Sequence, residues 1–198
     1  MQFSVSTLSV MAADGTRLAI SLWLPEGDGP FATLLEALPY RKDDVTSSYA
    51  ESYERFCGEG GFAVVRLDLR GTGNSGGVAV DEYPDVERSD LRDVMAWVAD
   101  QPWSNGRVGM LGTSYSGFNS LHMAVDCPPQ LGAVCATYAT DDRYTELYGP
   151  TPNFIPAGGW NNGEPDKLVK THCCFCGVQC GRSEEHTSEL QSLRHLVC

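Results

Sequence analysis

The chain has 198 residues, 42% of them hydrophobic and 20% charged, and a formal net charge of −12. That length suits one domain with a buried core, and that charge excludes nonspecific binding to nucleic acid or anionic membrane. No apolar run nears the roughly 20 residues of a membrane-spanning helix. The start, "MQFSVSTLSVMAADG", lacks the basic and apolar regions of a signal peptide, so a cytoplasmic location is expected.

Residues 3–24 read as two strands around the hairpin signal Asp14-Gly15. "FATLLEAL" (31–38) is a short apolar strand. "YAESYERFCGEGG" (49–61) suits a helix closed by glycine. "FAVVRLDL" (62–69) suits a buried parallel strand. In "SDLRDVMAWVADQ" (89–101), Leu91, Val94, Met95 and Val98 make the stripe of an amphipathic helix, with Ser89 or Asp90 as its cap. "RVGMLG" (107–112) is the next strand, "FNSLHMAVDC" a helix stopped by Pro128-Pro129, and "LGAVCATYAT" (131–140) a further strand. This alternation predicts an α/β fold, a mostly parallel sheet covered on both faces, with the leading hairpin antiparallel at one edge. Beyond Thr145 the pattern stops. Residues 146–165 are rich in proline and glycine and read as a linker or junction.

The chemistry concentrates in "GTSYSG", Gly112 to Gly117, which follows a strand and precedes a helix. A nucleophile elbow needs a sharp strand-to-helix turn with small neighbours around a strained serine. Ser114 meets that need, with Ser116 in the place of the usual second glycine. The loop "RGTGNSGG" hints at a phosphate cradle but lacks the spacing of a Rossmann fingerprint or P-loop. Asp68 and Arg70 read as ordering that loop. Cys57, Cys127 and Cys135 read as small buried hydrophobes.

Several ordered motifs carry a resemblance. "DGTRLAISLWLPEGDGPFATLLEALPY", "GFAVVRLDLRGTGNSGG", "QPWSNGRVGMLGTSYSG" and "YATDDRYT" resemble the X-Pro dipeptidyl-peptidase/cocaine esterase family of serine hydrolases. The resemblance implies the N-terminal half of an α/β-hydrolase sheet over residues 1–145 that acts on a small ester or peptide without a cofactor. It implies Ser114 as the acylated nucleophile, the Tyr115 backbone N–H as one oxyanion donor and the Tyr40 phenol as the other. Without it, Tyr40 reads as a strand-end aromatic packed on the core.

An α/β-hydrolase serine needs an acid and then a histidine from later strands. His122, on the helix after the elbow, reads as a satisfied core histidine. His172, His186 and His195 follow no credible strand, and Asp141 and Asp142 belong to the "DDRYT" match rather than to the acid's position. The expectation is a truncated, inactive hydrolase whose triad is incomplete, present as a non-catalytic hydrolase-like domain.

The last segments have other affinities. Cys173-x2-Cys176-x3-Cys180, within residues 166–181, can hold three corners of an iron–sulfur cluster or part of a zinc site. The segment resembles the 4Fe-4S motif of molybdopterin oxidoreductases, so the alternative function is a fragment of such an enzyme. The tail, 182–198, reads either as an acidic surface helix or as translated DNA. "RSEEHTSELQS" matches a common short-read sequencing adapter in frame, and "HLVC" continues that frame after a short index, which makes the chain a chimera.

Overall fold

A computed structural model describes residues 1–43, 50–139, 168–172 and 181–185. Two hairpin strands open the chain, β1 (Phe3–Met11) and β2 (Arg17–Pro25). Asp14 accepts the Thr16 N–H at 2.9 Å, and Gly15 takes φ 83° at the turn. There follow β3 (Phe31–Leu38), α1 (Ala50–Gly58), β4 (Ala63–Asp68), α2 (Asp85–Ala99), β5 (Ser104–Thr113), α3 (Tyr115–Asp126) and β6 (Leu131–Thr137). The six strands form one sheet in the order β1-β2-β4-β3-β5-β6. β1, β2 and β4 pair antiparallel in sequence, while β4-β3-β5-β6 run parallel. The expected mixed sheet with an antiparallel edge is the observed one.

The alternation of side chains along the strands divides the core in two. Leu18, Ile20, Leu35, Val65, Leu67 and Met110 form one face and pack against Leu91, Val94, Met95 and Val98 of α2 and Met123 of α3. On the other face Trp23 and Val64 pack against Tyr53 and Cys57 of α1. Burial raises the Cys57 thiol pKa to about 11, so it stays protonated.

Three local expectations need correction. Helix α2 begins at Asp85, before the proposed caps Ser89 and Asp90, because Pro84 supplies an extended N-cap with φ −66°. Asp90 instead lies inside the helix, buried, and receives Arg70. Cys127 and Cys135 are exposed, and only Cys57 of the three is buried. Cys127 ends α3 in a left-handed conformation, and Cys135 points to the face of β6 where residues alternate into the open.

A separate unit carries the antiparallel pair β7 (Leu168–His172) and β8 (Gly181–Glu185). β-Branched Val169 and Thr171 favour extended backbone there. His172 thus ends a strand that the sequence did not announce, and Ser183 to Glu185 are strand where the acidic-helix reading needs its first turn. Cys173, Cys176, Cys180, His186 and His195 lie outside the described residues. No described helix is long and apolar enough to cross a membrane.

Candidate active site

The carboxyl ends of β3, β5 and β6 each pass into a non-glycine residue of positive φ: Arg41 (61°), Ser114 (59°) and Tyr138 (52°). Such conformations cost on the order of 1–3 kcal/mol each and gather where the fold holds a site. Ser114, at φ 59° and ψ −117°, joins β5 to α3 and makes no capping hydrogen bond to the helix it opens. The surrounding bonds hold it in that conformation. Its N–H donates to Thr137 O of β6 at 2.9 Å, and its carbonyl accepts the Phe118 N–H at 2.9 Å. The turn is tight enough that a Cβ on Gly112 would collide with Ser116.

Ser116 explains the shifted glycine. Its side chain is buried, and its Oγ accepts the Thr113 N–H at 2.9 Å. The same hydroxyl lies 2.9 Å from Glu36 Oε1, and Tyr53 Oη donates to Glu36 Oε2. The place that a second glycine would leave empty is filled by a hydroxyl bridging the turn to β3. Glu36 and Tyr53 were missed from sequence, and Ser116 was seen there only as the replacement for a second glycine. The available signal was a lone carboxylate inside the apolar run "FATLLEAL".

Tyr115 starts α3, so its backbone N–H is among the amides that have no acceptor within the helix. Its ring stacks on Tyr83 at 4.1 Å and meets Tyr40 edge-on at 6.5 Å. Its phenol accepts the Tyr83 N–H at 3.1 Å and lies 3.2 Å from both oxygens of Glu87. Burial pushes Glu87 up from 4.5 to about 7, against the Tyr115 hydrogen bond and with help from Asp90 and Glu82. Burial likewise raises the Tyr115 phenol above its ordinary range. Tyr40 is 52% exposed, beside the elbow rather than packed in the core.

His122 differs from expectation. It packs edge-on to Tyr83, yet its Nδ1 is buried without a hydrogen-bond partner, so it is not a satisfied histidine. Burial, then the nearby Arg88, lowers its pKa and so favours the neutral imidazole.

The glycine loop after β4 turns its Asn74 amide inward. Fully buried Asp68 accepts the Lys42 N–H at 2.6 Å on Oδ1 and the Asn74 N–H at 2.8 Å on Oδ2. Arg70 forks onto Asp90 at 2.6 and 2.9 Å and reaches Asp14 at 2.7 Å, tying the loop to α2 and the first hairpin. The resemblance to a phosphate cradle has a physical source, because the anion in this cradle is the protein's own carboxylate.

With that geometry in view, comparison with known proteins is decisive. The family model of the X-Pro dipeptidyl-peptidases (S15 family) matches residues 14–163. The chain belongs to that family. The match contains both the elbow and the glycine loop, and it runs past Thr145, where the motif resemblance ends. Over 148 residues the chain is 37% identical to a cocaine esterase from Rhodococcus, covering 73% of this chain and 25% of that protein. A CocE/NonD family hydrolase from Staphylococcus aureus superposes with a TM-score of 0.60 at 27% identity, over 68% of this chain and 27% of the other. An α-amino acid ester hydrolase does so with a TM-score of 0.58 at 25% identity, over 67% and 24%. The chain therefore spans about a quarter of the length of the curated relatives it matches. The S15 match ends before Cys173, and no group of metal-binding side chains occurs among the described residues.

Proposed function

We propose that Ser114 is the nucleophile of a serine hydrolase that transfers an acyl group from a small ester or amide. The observation that carries this reading is the strained serine at φ 59° and ψ −117° on the β5–α3 turn of an S15-family chain. A turn of this kind lifts Oγ above the sheet edge and places the first amides of a helix beside it. The Tyr115 N–H is the natural donor to a developing oxyanion. The exposed Tyr40 phenol, beside the Tyr115 ring, is the proposed second donor. Acyl transfer through these groups calls for no cofactor.

A serine hydroxyl needs a base to attack at neutral pH. His122 is engaged with Tyr83 on the flank of α3, and no acid–histidine pair is assigned to Ser114 among the described residues. We therefore propose that the 198-residue chain itself lacks appreciable turnover and that the triad needs groups supplied by further sheet strands. The test is steady-state hydrolysis of an activated aryl ester and an X-Pro amide by the full chain and by Ser114→Ala. Equal background rates support an incomplete triad. Robust turnover lost in Ser114→Ala would establish the nucleophile and refute the inactivity. Turnover that survives in Ser114→Ala would overturn the assignment of Ser114.

A further inference from the structure

Glu36 sits in a strand whose other residues are apolar or small, and it is 7% exposed. A carboxylate in such a place is costly unless hydrogen bonds satisfy it. Its two oxygens have different partners, the Ser116 hydroxyl at 2.9 Å and the Tyr53 hydroxyl of α1. On the neighbouring strand its register partner is Arg66, 3% exposed, whose guanidinium lies 5.2 Å from the centre of the Tyr53 ring. A positive charge on the same face of the sheet offsets the burial of the negative one. The Ser116 hydroxyl has one proton. It can donate to Glu36 at 2.9 Å or to Thr113 O at 3.1 Å, and in either case its oxygen accepts the Thr113 N–H at 2.9 Å. With Glu36 as acceptor, the hydroxyl links β3 to the last peptide of β5, immediately before the strained residue.

We propose that Glu36 is a positioning residue: its buried carboxylate fixes Ser116, and through Ser116 it holds the Thr113–Ser114 turn in its strained conformation. The catalytic meaning rests on the reading of Ser114 as nucleophile, while the mechanical link does not. Four elements meet at this turn. β6 takes the Ser114 N–H, α3 closes on the Ser114 carbonyl, β5 ends in Thr113, and β3 contributes Glu36. Glu36 is the one tie among these that uses a side chain from outside the elbow motif, and so the one that a glycine–serine pattern cannot disclose.

The experiment is residue-resolved amide hydrogen exchange on the full chain, with Glu36→Ala, Glu36→Gln, Ser116→Ala and the double alanine variant. Glu36→Ala is expected to speed exchange of the Thr113 amide roughly tenfold, the scale of one lost buried hydrogen bond. Amides of Leu22 and Val65, paired across β2 and β4, should keep wild-type rates. Glu36→Gln should retain most of the protection, because its amide oxygen still accepts from Ser116. Ser116→Ala, which removes the acceptor of the Thr113 N–H itself, should speed exchange at least as much as Glu36→Ala, and the double variant should add nothing beyond Ser116→Ala. If Glu36→Ala fails to fold, Glu36→Met, which fills the space without offering an acceptor to Ser116, takes its place, and an unchanged Thr113 rate there would overturn the proposal. An unchanged Thr113 rate in Ser116→Ala would overturn the proposal. So would acceleration that rises equally at Leu22 and Val65, or Glu36→Gln behaving like alanine. Phosphonylation of Ser114 by an aryl fluorophosphonate, followed by mass spectrometry, separates the two claims. Labelling of another serine in place of Ser114, with the expected exchange pattern, sinks the nucleophile reading and leaves the positioning role standing.

Discussion

Two glycine-rich turns follow parallel strands in this molecule, and they are built in opposite senses. After β4, the loop 69–77 bends its Asn74 amide inward onto Asp68, which also takes the Lys42 amide, and the loop is locked from outside by Arg70. After β5, the turn at Gly112–Gly117 leaves its apex residue, Ser114, strained and without a side-chain cap. Both are rich in Gly, Ser and Thr, and both sit at carboxyl ends of strands. The difference lies in the buried carboxylate each one meets. Asp68 takes the inward Asn74 amide of the first turn. Glu36 braces the second from beneath through Ser116 and leaves Ser114 free at the apex. Composition alone therefore does not separate these two turns. The place of the nearest buried anion does.

The comparison can be broken first at Asp68. Asp68→Ala leaves the Lys42 and Asn74 amides without their acceptor, and should cost about 4 kcal/mol in urea unfolding. A loss no larger than that of an average surface substitution would mean that the loop is not held from within. Next comes Gly73→Ala. Gly73 has φ 49°, and a Cβ there would collide with the Asp68 carboxylate. Strain and overlap together should cost roughly 3 kcal/mol. Gly112→Ala meets Ser116 instead and should cost roughly 2 kcal/mol, with the loss concentrated at the elbow. Exchange rates at Thr113 that rise more than those in the glycine loop would locate that strain.

A smaller effect sharpens the contrast through pH. Glu87, beneath Tyr115, has its pKa raised from 4.5 to about 7. A carboxyl raised on folding binds its proton more tightly in the folded state. Its stabilising contribution is full below about pH 4.5 and is lost as pH rises through about 7. The unfolding free energy should fall by on the order of 1 kcal/mol across that window, after allowance for solvent screening. Glu87→Gln should flatten that slope. An identical slope in the variant would remove Glu87 as its source.

Much of this architecture is legible in the residues. The strands read clearly because apolar runs such as "FAVVRLDL" have few alternative conformations once buried, and the Asp14-Gly15 turn has few alternatives at all. The start of α2 was misread because Pro84 caps it by backbone conformation, with no side-chain signal. Cys135 was misread because hydrophobicity says nothing about which face of β6 is covered. Ser114 stood out through its local glycines. Glu36, Tyr53 and Ser116 did not, because they converge from β3, α1 and α3 and no short window contains them. The hairpin at 168–185 was unannounced, since short strands with little apolar content carry weak periodicity.

The fold holds Ser114 at φ 59° and ψ −117°, a conformation unfavourable for a residue with a Cβ. The most direct measurement is the unfolding free energy of Ser114→Gly in the full chain. Glycine accepts positive φ without a Cβ penalty, so the variant should be more stable by about 1 kcal/mol. Greater stability in Ser114→Gly is the result this account predicts. A variant less stable than the wild type would contradict it, because the serine side chain would then be holding the turn together rather than being held by it.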